Sequence, residues 1–140
     1  PITQARAHVR YLSQHADRQG VQISPIGALS KDLKGEDIAE FMDMKAGGVV
    51  AFSDGTTAIG DTGLLGRALM YASSMGSVII HRPDDHHLSN GGEMHEGEMS
   101  TSLGMKGVPE IAEVNIVQRD ILLQSYNITF AICGINTIFD

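Results

Sequence analysis

Three times in succession, a stretch with helical apolar spacing gives way to a short apolar run of strand length, and this alternation constrains the chain more than any other feature. Ala5, Val9, Leu12 and Ala16 recur every three or four positions across residues 2–18, which predicts an amphipathic helix ended by Gly20. Residues 21–27 then read as a strand, with Pro25 speaking against a place deep inside a hydrogen-bonded ladder. Gly35-Glu36-Asp37 opens a second helix to about Lys45, its acids in the first turn where the helix dipole favours them, and Gly47-Gly48 closes it. Val49-Val50-Ala51-Phe52 is the next strand. A third helix over 62–74 carries a stripe of Leu64, Leu65, Ala68, Leu69 and Ala72, and Ser77-Val78-Ile79-Ile80 follows as a third strand. Helix and strand in strict rotation predict an α/β fold with a parallel sheet, open or closed.

From Arg82 to Lys106 the pattern gives way to Gly, Asp, His, Met and Ser, too long for an ordinary strand-to-helix connection and therefore expected to be a functional or a disordered loop. Its methionines, Met94, Met99 and Met105, are expected to fill gaps beneath it. Periodicity returns at Pro109, placed at a first helical position, with Ile111, Val114, Ile116, Val117, Ile121 and Leu122 as the buried face of a fourth helix. Residues 128–132 could be one more strand.

Composition narrows the function classes. With 140 residues and 42% hydrophobic content the chain can bury one domain's core. Ten Lys+Arg against 17 Asp+Glu leave a net charge of −7 and no basic face for phosphates, so nucleic acid is not an expected partner. No apolar run is long enough for a membrane helix, and the start is not a signal peptide. Cys133 is the single cysteine, which suits the cytoplasm and reads as a buried, inert thiol. Pro1 stands where a Met would begin a natural chain, so the chain is expected to be a fragment, a processed product or a piece cut without its natural beginning.

Two places could carry chemistry. Asp54 directly follows an apolar strand, where parallel α/β folds gather their active-site groups. A turn in which Asp54 caps neighbouring amides explains the same residues. His81-Arg82-Pro83-Asp84-Asp85-His86-His87 concentrates metal-ligand types, yet without the spacing that points two ligands the same way, and a solvated polar loop is the alternative.

Three sets of spaced motifs stand out: Ser24-Pro25-Ile26-Gly27-Ala28-Leu29-Ser30 with Leu33-Lys34-Gly35-Glu36; Val50-Ala51-Phe52-Ser53-Asp54-Gly55 with Asp61 and Arg67-Ala68-Leu69-Met70-Tyr71-Ala72; and Gly91-Gly92-Glu93-Met94-His95-Glu96-Gly97-Glu98-Met99-Ser100, Leu103-Gly104-Met105-Lys106-Gly107-Val108-Pro109, Ala112-Glu113 and Arg119-Asp120-Ile121. Taken together, these segments resemble the middle of a dihydroorotase, an amidohydrolase. The resemblance covers about residues 21–126 and implies one partial (β/α)8 TIM-type barrel domain over 1–140. It also implies interconversion of N-carbamoyl-L-aspartate and L-dihydroorotate in pyrimidine synthesis by a zinc-bound hydroxide. The small-molecule substrate is one implied partner; a second copy of the chain or aspartate transcarbamoylase is another.

Against the family pattern, a gap-free count puts Gly55 on the metal-bridging acid of F-S-D-D-G and Arg82 on the ligand histidine of H-C-E-D. Asp54 and His81, each one residue early, are the metal candidates that remain. The family's H-x-H pair and substrate-binding Asn fall before residue 1, its late Asp falls after Asp140, and the tail from Asn127 lacks its strand histidines, as a premature end or a frame break near Tyr126 would leave it. Three functions follow as expectations: a dihydroorotase-class enzyme incomplete as this chain, a non-catalytic homologue that scaffolds aspartate transcarbamoylase, or an inert α/β piece.

Overall fold

Gly47 carries no side chain where helix α1 (Arg6–Gln19) crosses helix α2 (Phe41–Gly47), and a Cβ there would lie 3.1 Å from the Cβ of Val9. Val9 is fully buried in that crossing, and the Asp43 carboxylate accepts from the Arg6 amide at 3.0 Å, closing the start of α1. This computed structural model describes residues 3–20, 22–124 and 130–132.

The predicted rotation is present: α1, β1 (Ile26–Gly27), α2, β2 (Ala51–Phe52), α3 (Thr62–Ser74) and β3 (Val78–His81). A fourth strand, β6 (Phe130–Ile132), completes a wholly parallel sheet in the order β1-β2-β3-β6. Ile26 is level with Ala51, and Phe52 with Ile79. The architecture is therefore α/β with parallel strands and intervening helices. Strands β1 and β2 are shorter than their apolar runs suggest, while β3 keeps the predicted four-residue length; Ile23, placed in the first strand by its sequence, is exposed. Part of that run, Val21, and the Cys133 thiol lie outside the described residues.

Helix α2 starts at Phe41 and not at Gly35, because residues 35–40 spend their backbone bonds elsewhere. Lys31 donates to the Asp37 carbonyl, Ala39 donates to the Leu29 carbonyl, and Ser30 bridges Ile38 in antiparallel sense. Helix α3 matches its expected span. Asp61 caps it by accepting from the amides of Gly63 and Leu64, and the whole Leu64, Leu65, Ala68, Leu69, Ala72 stripe is buried. The core joins that stripe to Leu29, Met44, Ile59 and Ile79, with Phe41 stacked on Phe52 at 3.9 Å between ring centres.

Residues 82–106 are more ordered than a loop. They hold α4 (His86–Ser89), β4 (Met94–His95) and α5 (Glu98–Leu103), and β4 pairs in parallel with β5 (Gly107–Val108) as a second, two-stranded sheet. A Cβ on Gly92 would come within 2.8 Å of the Gly107 carbonyl oxygen, and one on Gly107 within 2.6 Å of the Glu96 Cα. Met99 and Met105 are exposed and do not fill gaps. The last helix, α6 (Ile111–Gln124), begins two residues after Pro109. It buries Ala112, Ile116, Val117 and Asp120, whereas Ile111, Ile121 and Leu122, assigned to its inner face by apolar character, are exposed. Ala112, Ile116 and Asp120 follow a spacing of four, with Val117 beside them, the phase that keeps one side of a helix turned to the core.

Candidate functional site

Because β1, β2 and β3 are parallel, their C-terminal ends share one side of the sheet. Asp54 lies two residues beyond β2 on that side, and His81 is the last residue of β3. Each is buried, at 5% and 3% exposure, and each has its own set of partners.

Asp54 turns toward β1. Its Oδ1 accepts from the consecutive amides of Leu29 at 2.8 Å and Ser30 at 2.9 Å, and its Oδ2 accepts from the Ser30 hydroxyl. Ser30 Oγ in turn accepts from the Gly35 amide at 2.8 Å. The neighbouring turn is closed by Ser53 Oγ, which accepts from the Gly55 amide, and by the Asp54 carbonyl, which accepts from the Thr57 amide. One carboxylate thus joins the end of β2 to the residues that follow β1. This is the capping role that the turn chemistry offers, extended across two strands.

His81 turns toward α6. Its Nε2 accepts from the Ile59 amide at 3.0 Å, so its ring proton sits on Nδ1, which donates to Asp120 Oδ2 at 2.6 Å. Asp120 Oδ1 takes Nε and Nη2 of Arg119 at 3.0 and 2.8 Å, and Arg119 Nη1 donates to the Ile59 carbonyl at 2.7 Å. Ile59, on the β2–α3 connection, therefore has its N–H held by His81 and its C=O held by Arg119.

The rest of the histidine-rich run does not converge. Asp85 caps α4 through the amides of His87 and Leu88 and accepts from Asn115, while His86 and His87 are exposed. His86 pairs only loosely with Asp84, at 3.6 Å. Arg82, Asp84, His86, Glu93, His95 and Glu110 line a cleft of about 440 Å³, and among the described residues no three His, Cys, Asp or Glu side chains are grouped to hold a metal ion. Gly55 adopts φ 65°, a left-handed conformation that favours glycine, and brings no donor atom to its position.

A metal ligand must aim a lone pair at the cation, and a ligating histidine must keep one ring nitrogen for it. His81 has both nitrogens engaged, and Asp54 has both oxygens turned to β1. The only buried side-chain nitrogen or oxygen atoms without a partner among the described residues are Arg6 Nε and Ser77 Oγ, and Ser77 precedes β3 at its opposite end. Among the described residues, Asp54 and His81 as bonded here do not fit a metal ion. Reading from sequence missed Ser30, Ile59, Arg119 and Asp120 as members of these sets. Ser30, Arg119 and Asp120 stood in the resemblance motifs without a role, and Asp120 carried a further signal as a charged residue on the buried phase of an apolar helix.

Comparison with known proteins matches residues 5–138 to the family described as dihydro-orotase-like. The dihydroorotase of Pelotomaculum thermopropionicum is 45% identical over 123 residues, covering 88% of this chain and 29% of that protein. The dihydroorotases of Acetivibrio thermocellus and Syntrophus aciditrophicus are 40% and 39% identical over 127 and 128 residues, each match covering 30% of that protein. The chain spans about three tenths of the length of these relatives.

Proposed function

The chain belongs to the dihydro-orotase-like family, and from that premise we propose that it is one arc of a (β/α)8 barrel of the dihydroorotase class, serving pyrimidine biosynthesis. The reaction of that class is the interconversion of N-carbamoyl-L-aspartate and L-dihydroorotate. The observation that carries the reading is the family match, which runs across the three strands whose C-terminal ends would form a barrel's catalytic face. Sheet order supports the barrel. Strands β1, β2, β3 and β6 lie side by side in chain order, without the reversal that marks a doubly wound open sheet.

In this reading the arc supplies wall and strand ends but not the metal centre, so the chain alone has no turnover. A cyclisation assay on the purified chain with N-carbamoyl-L-aspartate and zinc tests it. No product is expected; zinc-dependent turnover lost in Asp54→Ala would overturn it.

A second reading, a non-catalytic barrel that scaffolds aspartate transcarbamoylase, is favoured by one specific observation. The nearest metal candidates are tied into internal hydrogen bonds, while Gly55 and Arg82 occupy the positions expected to hold ligands. Co-sedimentation of the chain with aspartate transcarbamoylase is its test, and two independent boundaries would sink it.

A further inference from the structure

We infer that hydrogen bonds at the C-terminal ends of β1, β2 and β3 do the bracing that a shared metal ion would otherwise do, so that this chain holds its strand ends without zinc. The inference rests on the family reading only for the expectation of a metal.

The His81 set makes the strongest case. A ring nitrogen bonded to a carboxylate, here Nδ1 on Asp120, is the arrangement by which proteins orient a metal-ligating histidine. The other nitrogen would then face the metal. In this chain it faces the Ile59 amide at 3.0 Å, and Ile59 is fully buried. Zinc could reach Nε2 only by displacing that N–H, leaving an amide unpaired where no water can take it. The Ile59 carbonyl is held by Arg119, which is itself tied to Asp120, so releasing Ile59 would disturb the whole set.

Asp54 repeats the logic on the other side of β2. A carboxylate offers about four lone-pair directions. Three are taken by Leu29 and Ser30, and all three donors lie on the β1 side. To ligate a metal near β3 the side chain would have to rotate away from two buried backbone amides. The sets share the β2 end: Asp54 fastens it to β1, and His81 fastens the connection that follows it to β3 and α6.

The experiment uses the wild-type chain, with ¹⁵N spectra of the Ile59 amide and the His81 ring recorded during a zinc titration after dialysis against a chelator, and with thermal melts in zinc and in chelator. The expected result is an unmoved Ile59 amide, unmoved His81 ring nitrogens and the same melting temperature in both buffers. Zinc taken up only by exposed His86, His87 or His95 agrees with the inference. One equivalent of zinc that shifts the His81 ring nitrogens and the Ile59 amide, and that binds at least tenfold more weakly in Asp54→Asn, would overturn it. That outcome would leave the family reading standing. Cyclisation activity with the Ile59 amide unmoved would instead overturn the proposed lack of turnover and leave the brace standing.

Discussion

Ser30 meets Asp54 through two donors at once: its amide lies 2.9 Å from Oδ1, and its hydroxyl donates to Oδ2. With Leu29 alongside, a single carboxylate satisfies three donors of a segment buried between two strand ends. Asp54→Ala should therefore unfold the chain at markedly lower urea, at a cost of about 2–4 kcal/mol, because each buried donor left unpaired is expensive. Asp54→Asn keeps one oxygen for the amides and should cost less. Equal midpoints for the wild type and Asp54→Ala would remove this carboxylate from the account of the fold.

Removing Asp120 should cost more than removing His81. Asp120→Ala strands both the His81 Nδ1 proton and the Arg119 fork in a buried setting, for a loss of about 3–5 kcal/mol. His81→Ala leaves Asp120 still paired with Arg119. A double-mutant cycle over the two should return a coupling of about 1–3 kcal/mol. Strict additivity would show that the short contact carries no energy of its own.

Acid should weaken the start of α3. The amides of Leu64 and Gly63, helped by Arg67, hold the Asp61 carboxyl below its ordinary value of 3.8. A carboxyl whose folded pKa is depressed stabilises the fold fully above its unfolded value, and that contribution disappears as pH falls through the folded pKa. Asp61→Asn cannot ionise, so the melting-temperature gap between it and the wild type should narrow below about pH 3.8. A gap that stays constant through that window would refute the assignment.

Gly107→Ala should open the two-stranded sheet without unfolding the core. The new Cβ would lie 2.6 Å from the Glu96 Cα, and backbone yields less readily than a side chain. A cost of about 1–3 kcal/mol is expected, as for other overpacked sites. Hydrogen exchange should speed up at Glu96, whose amide donates to Val108, and remain slow at Phe52.

The isolated chain should self-associate. Strands β1 and β6 end the four-stranded sheet, and α6 exposes Ile111 and Ile121 at 53% and 54%. Sedimentation should show a mass that rises with concentration, reduced in the Ile111→Lys, Ile121→Lys double variant. A sharp monomer boundary over a wide concentration range would contradict this.

Much of the architecture was readable from period alone, since the α3 stripe and the β3 run have no competing interpretation. Reading failed where backbone bonds left their local partners. Residues 35–40 carry helix-start chemistry but pair back onto Leu29 and Lys31, a non-local choice that no window of sequence displays. The α6 face was misjudged because apolar character outvoted phase: Ile121 lies outside, while Asp120 lies inside beside His81. At the site, Asp54 and His81 were visible as chemically capable residues. Their backbone partners were not, because the amides of Leu29, Ser30 and Ile59 have no side-chain signature.

The pairing of β4 with β5 bears on the order in which the chain can assemble. Met94 and Gly107 are brought together across only the short helix α5, a small loop to close, whereas the pairing of Ile79 with Phe130 must wait for α4, α5 and α6 to be made. During synthesis from the N-terminus the small ribbon can therefore form while β3 still lacks its outer neighbour. Once Val108 is free to fold, this second pairing can be in place before β6 reaches the edge of β3.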